Sequence, residues 1–188
     1  MGQPHFATGL PFSAQREEVE VAHASDGSRV ERRREGALYR DRHGRTRSEF
    51  EVPRLTGGVA RVALLVDPAA SRMRAVDADS GELLTGNDDQ TDGAGDAPER
   101  PAIEPRRPGK GTPRSEDLGW RQIEGLACHG SRIRFEDGEL EIWEARELGP
   151  DPPVLRRSVV DGHEYRERVF NIRLGDPDQR LFDALTGP

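Results

Sequence analysis

Apolar and polar residues alternate with a period of two along most of this chain. Val19, Val21 and His23 alternate with Glu18, Glu20 and Ala22, the spacing of a strand with one buried face. Asp26-Gly27 then predicts a tight hairpin turn. Residues 29–35 form a second, very polar strand, and Gly36 leads into Ala37, Leu38 and Tyr39. His43-Gly44 turns the chain into a strand over 46–52, with Phe50 and Val52 on one face. The most hydrophobic stretch, 59–66, is expected to be a central strand, stopped at Asp67-Pro68 because proline cannot continue a ladder. Residues 71–76 follow, with Met73 and Ala75 facing one way.

The second half repeats the pattern. A strand over 120–127, broken or bent at Gly125, is continued by 132–135 with Ile133 and Phe135 on one face. Asp137-Gly138 marks a hairpin, after which Leu140, Ile142 and Glu144 alternate with Glu141, Trp143 and Ala145. Residues 154–160 and a last strand carrying Tyr165, Glu167, Val169 and Asn171 on one face are separated by Asp161-Gly162. Asp176 as N-cap and Pro177 as first helical residue predict a short helix over 178–185, with Leu181, Phe182 and Leu185 on one face.

These elements predict a mainly β fold: a single curved antiparallel sheet, or half-barrel, with a short C-terminal helix and a disordered central insert. One sheet face is expected to be apolar and the other charged. Residues 1–14 read as an irregular N-terminal arm. Residues 15–85 and 116–188 read as one antiparallel β domain. Residues 86–115 are rich in Pro, Gly and Asp, with too few apolar side chains to offset the entropy of ordering. They read as the disordered insert, a long loop between neighbouring strands.

Composition narrows the function. Of 188 residues, 33% are hydrophobic and 34% charged, with a net charge of −7. No run of about 18 apolar residues exists, so the chain is not membrane-spanning. Lys110 is the one lysine among 28 basic residues. No segment is strongly basic, which argues against nucleic acid as a partner, because that affinity comes from neutralised phosphates. The run Arg32-Arg33-Arg34, flanked by Glu31 and Glu35, reads as a solvated strand edge. The N-terminus lacks a basic start and an apolar core, so no signal peptide is expected in this chain.

Several residue groups here carry a resemblance. They are Asp26-Gly27-Ser28-Arg29, then Tyr39-Arg40-Asp41 with Gly44-Arg45-Thr46-Arg47, then Asp67-Pro68. In the second half they are Leu118-Gly119, Ile123-Glu124-Gly125, and Asn171-Ile172 running to Phe182. This order resembles an uncharacterised family of exported bacterial proteins, whose members read DG-x-R, YRD-x-x-GR and DP, then LG, I-x-G and NI-x-x-G-x-PDPALF. More distantly, the pattern is similar to the half-barrel fold of periplasmic lipoprotein carriers and of envelope-stress regulators of the RseB kind. The resemblance implies a curved sheet holding a lipid or acyl chain on its concave face, and a periplasmic or other extracytoplasmic location. The missing leader leaves a cytoplasmic location open.

Candidate chemistry is sparse. Cys128 and His129 are adjacent, so on a strand they point to opposite faces and cannot pair as thiolate and imidazole. The five histidines show no metal spacing, and no cofactor fingerprint is present. Residues 88–99 place acidic side chains at several positions of a calcium loop, but Gln90, Pro98 and Pro101 oppose that reading. Glu139 and Glu141 share a strand face and read as solvent-facing carboxylates. The apolar candidates for a ligand groove are Trp120, Trp143, Leu64, Val66, Ile123, Leu126, Ile133 and Ile142. Ile142 and Trp143 are neighbours, so only one of them faces such a groove.

The leading expectation is a non-enzymatic extracytoplasmic protein that binds a hydrophobic ligand, with an envelope protein as a second kind of partner. The alternative is a protein-interaction or envelope-sensing module using a strand edge or the insert. A hydrolase using Cys128 or a carboxylate pair ranks third.

Overall fold

In the computed structural model, residues 9–23, 28–54, 57–86 and 112–185 are described. The strands are β1 (Phe12–His23), β2 (Arg29–Arg40), β3 (Thr46–Pro53), β4 (Val59–Asp67), β5 (Arg72–Asp77), β6 (Leu83–Gly86), β7 (Arg114–Ile123), β8 (Leu126–Arg134), β9 (Gly138–Ala145), β10 (Leu155–Val160) and β11 (His163–Leu174). A 3-10 helix, Gln179–Leu185, closes the described chain. The fold is mainly β, one antiparallel sheet of eleven strands that does not close, in the order β6-β5-β4-β3-β2-β1-β11-β10-β9-β8-β7.

That order corrects several expectations. The insert joins β6 to β7, which are the two outermost strands of the sheet, not neighbours. The pairing of β1 with β11 places them there, and periodicity carries no trace of a contact so distant in sequence. The polar run around Arg33 lies on exposed positions of β2, in the part of that strand without a β3 partner, since the β2–β3 pairing covers Gly36–Arg40. Part of the expected N-terminal arm is strand, because Phe12 and Ala14 alternate and are buried. At the insert, Gly86 belongs to β6 and Arg114 and Ser115 to β7. Residues 87–111, including the calcium-like run, and the Asp26-Gly27 turn lie outside the described residues.

The chain divides into two compact units. The first comprises Met1–Ala14, Gly36–Ala102 and Arg173–Pro188; the second comprises Gln15–Glu35 and Ile103–Ile172.

In the first unit, β3, β4 and β5 are paired so that Arg47, Leu65 and Arg74 share one row, and Glu49, Ala63 and Val76 the next. Ala63, Leu65 and Val76 are fully buried beneath Phe182 and Leu185 of the 3-10 helix. Arginines fix that helix. Arg47 Nη1 donates to the Leu181 carbonyl (3.0 Å), Arg74 Nη1 to that of Ala184 (2.5 Å) and Arg72 Nη1 to that of Leu185 (2.6 Å). Carbonyls at a helix C-terminus lack intrahelical partners, and cations suit that end. Glu49 is buried and accepts from Arg47 Nε at 2.8 Å and from Arg61 Nη2 at 2.7 Å.

The helix begins later than its sequence suggests. Asp178 accepts the Arg180 N–H at 3.0 Å and so caps it. Asp176, the expected cap, instead accepts the Arg42 N–H at 2.8 Å. Two of the residue groups that carry the resemblance therefore meet: the Asp41–Arg45 hairpin grips the segment from Asp176 to Phe182.

In the second unit, Glu124-Gly125 makes a two-residue hairpin, with φ of 51° and 79°. Of the two expectations for residues 120–127, a break and a bend, the structure has the break, since Ile123 and Leu126 face each other across a turn. Both central residues of such a turn need positive φ, which a glutamate rarely adopts. Bonds to Glu124 from Arg168 and from the Asn171 N–H, itself at φ 52°, anchor the turn. One face of β8–β11 is an ionic lattice. Arg132 donates to Glu141 at 2.9 Å, and Arg157 to Glu139 and Glu164 at 2.9 Å each.

Trp143 lies on that ionic face and is nevertheless buried. Gly130 is its register partner, and a Cβ there would sit 2.6 Å from the indole ring. Arg121 stacks over the ring at 3.7 Å, and the Trp143 Nε1–H donates to Glu141 at 2.7 Å. Gly130→Ala is therefore expected to destabilise the protein by about 1–3 kcal/mol, the usual cost of overpacking. Urea unfolding followed by tryptophan fluorescence measures this. An unchanged midpoint would mean that Trp143 is not seated on Gly130.

Candidate functional site

The predicted groove residues divide between the two units. Leu64 and Val66 belong to the first unit. Their neighbours in β4, Ala63 and Leu65, point the opposite way, beneath the helix. Register adds residues to their face: Phe50 opposite Val62, Ala75 opposite Leu64, Met73 opposite Val66, and Val52 opposite Ala60. All of these are partly exposed, Met73 to 45%. The result is an apolar strip across three strands, on the face that the helix does not cover. Its members outside β4 were each visible as same-face pairs in sequence. What sequence lacked was the register that joins them.

The remaining candidates lie in the second unit and do not form one groove. Ile133 and Ile142 are partly exposed on the face opposite the ionic lattice. Ile133 is in a row with Leu140, Ser158 and Tyr165; Ile142 is in a row with Ser131, Arg156 and Glu167. Glu167 is buried between Arg156 (3.4 Å) and Arg16 (3.8 Å), and burial pushes its carboxyl up from the ordinary glutamate range. Trp143 lies on the other face, under Arg121, which settles the conflict with Ile142. Ile123 and Leu126 flank the Glu124-Gly125 turn. Trp120 is 68% exposed, the most exposed large hydrophobic side chain among the described residues.

Cys128 is fully buried, and burial pushes its thiol up. His129 projects to the opposite face, where its Nε2 lies 2.9 Å from Asp117 Oδ1. The adjacent pair is therefore split between faces, as strand geometry requires. A shallow depression of about 340 Å³ lies over Arg134, Phe135, Gly138, Glu139, Arg157 and Val159. Its guanidinium groups are already paired with Glu116, Glu139 and Glu164. Among the described residues no helix is long and apolar enough to cross a membrane.

No protein-family model and no curated protein matches the sequence. Solved structures do match. One is MucB in complex with MucA(peri), at 14% identity and a TM-score of 0.38, with 92% of this chain covered. This chain spans about half of that one, 53% of its length. A second is a LolA superfamily protein from Nitrosomonas europaea, at 8% identity and a TM-score of 0.40, covering 93% of this chain and 90% of the other. A third is a putative outer membrane lipoprotein-sorting protein domain from Vibrio parahaemolyticus, at 12% identity and a TM-score of 0.30, covering 94% and 91%. The chain is thus distantly similar to the lipoprotein-sorting and MucB structures, the group its sequence pattern resembles.

Proposed function

We propose that this chain is a non-enzymatic, extracytoplasmic binding protein that holds a lipid or acyl chain on the apolar strip of its first unit. The observation that carries this reading is the strip itself: Phe50, Val62, Leu64, Val66, Met73 and Ala75, register-aligned and partly exposed, with the helix spent on the opposite face. Ser48 and Thr46 on β3 and Asp77 on β5 interrupt the strip, and an exposed apolar surface of this kind is a recognition surface more often than a neutral one. A strip three strands wide, at about 4.8 Å per strand, suits an extended hydrocarbon better than a compact polar ligand. The buried Cys128 thiol, pushed up and separated from His129, supports a carrier over a thiol hydrolase.

Native mass spectrometry of the purified protein, followed by solvent extraction, tests the reading. A discrete excess mass that extracts as lipid is expected. Leu64→Arg should remove it while leaving the circular dichroism unchanged. A clean apo mass, together with no enhancement of 1-anilinonaphthalene-8-sulfonate fluorescence, would overturn the proposal and redirect the search to protein partners.

A further inference from the structure

The most exposed tryptophan sits in a group of polar side chains that the apolar strip does not use. Trp120 is the register partner of His129, and His129 of Glu144, so the three form one row across β7, β8 and β9. The register of β7 slips between Asp117 and Gly119. This bulge places Asp117 on the same face as Trp120, where regular alternation would separate them. The Gly119 N–H donates to Asp117 Oδ1 at 2.8 Å, and that bond, with His129 beside it, holds the carboxyl below the usual aspartate range. His129 lies against the indole, ring centroids 5.1 Å apart and planes tilted by 55°. One side of the indole is thus braced, and the ring remains 68% exposed.

We infer that Trp120, His129, Asp117 and Glu144 form a carbohydrate-binding platform for a neutral, β-linked pyranose chain. A protein partner would need apolar neighbours that complete a desolvated contact around a tryptophan anchor. Here the same row holds an imidazole and a carboxylate, and Asp117, beside that imidazole, is 72% exposed. A pyranose matches this mixture. Its axial C–H face packs on an indole, whose ring carries negative charge on its face. Its rim of hydroxyls donates to carboxylate oxygens, which accept strongly when ionised. Glu144 is exposed and makes no side-chain bond among the described residues, leaving both its oxygens for such donors. Two nearby carboxylates repel an acidic polysaccharide, which selects the neutral class. The surface is open rather than a pocket, which suits a chain passing over it more than a single sugar.

The inference is independent of the apolar strip, which belongs to the other unit. The test is a titration with cellohexaose and with N-acetylchitohexaose, followed by the two indole N–H signals in proton–nitrogen NMR. Trp120→Tyr assigns which signal is which. The Trp120 signal is expected to shift saturably, with a Kd on the order of 0.1–1 mM, while the Trp143 signal stays in place. Trp120→Ala should abolish binding, and Trp120→Tyr should retain part of it. Asp117→Asn and Glu144→Gln should each weaken it about tenfold, the loss of one charge-assisted hydrogen bond. Sodium alginate should not bind. No saturable shift with either neutral oligosaccharide would overturn the inference. So would a shift that survives Trp120→Ala, or a Trp120 response to poly-lysine alone, which would make the site a docking point for basic peptides.

Discussion

Truncating Phe182 to alanine is expected to destabilise the protein by about 3–5 kcal/mol, the range for emptying a buried phenylalanine site. Phe182 is fully buried at the centre of the cluster formed with Ala63, Leu65, Val76 and Leu185. The surrounding groups have little freedom to close the void. Three arginine-to-carbonyl bonds hold the helix at Leu181, Ala184 and Leu185, so the helix cannot settle onto the sheet without breaking them. The guanidinium of Arg45, 5.0 Å from the ring centroid, would lose its aromatic support as well. The measurement is urea unfolding with an unchanged m-value. Phe182→Leu, which keeps most of the volume, should cost less than half as much. A Phe182→Ala protein within 1 kcal/mol of the parent would mean that the helix is not a fixed part of the first unit's core.

Strand existence was legible because apolar residues recur at every second position and the turns carry Asp-Gly or His-Gly pairs. The elements that escaped had locally misleading chemistry. β6 is short and runs directly into a polar stretch. Residues at the start of β1 follow Pro11, which reads as irregular chain. The Glu124-Gly125 hairpin has a glutamate where Asn, Asp or Gly normally supplies positive φ, so its sequence looks like an interrupted strand. Its support comes from Arg168 and Asn171, more than forty residues away.

The candidate sites show the same division. Alternation alone grouped Phe50 with Val52 and Met73 with Ala75, but placing them beside Leu64 and Val66 required register. For Ile142 and Trp143, both apolar, alternation could not choose a face. The available signal was Gly130, a residue small enough to seat an indole on the neighbouring strand. Arginine abundance was the least legible feature. In sequence it looks like solvated surface, whereas Arg47 and Arg74 are buried and tie down the terminal helix. A guanidinium offers five donors in a fixed plane, so it can bond a carboxylate and a backbone carbonyl together. Arg47 does so with Glu49 and Leu181.

Asp41→Ala is expected to cost about 3–5 kcal/mol, the range for breaking a buried ionic group by removing one partner. The Asp41 side chain has no exposed surface. One carboxylate oxygen accepts the N–H groups of His43 (2.9 Å) and Arg45 (3.0 Å), and the other accepts Arg45 Nε at 2.7 Å. Alanine would strand two backbone donors and release the guanidinium that also bonds Gln179 at 2.7 Å and stacks on Phe182. Damage in the hairpin should therefore spread to the terminal helix. A double-mutant cycle with Arg45→Ala separates this account from a purely local one. If Asp41 acts through Arg45, the double variant should be more stable than the sum of the single losses predicts, by about 1–3 kcal/mol of coupling. Strict additivity would mean that Asp41 only shapes its own turn, and that the Asp41–Arg45 hairpin and the segment from Asp176 to Phe182 are stabilised separately.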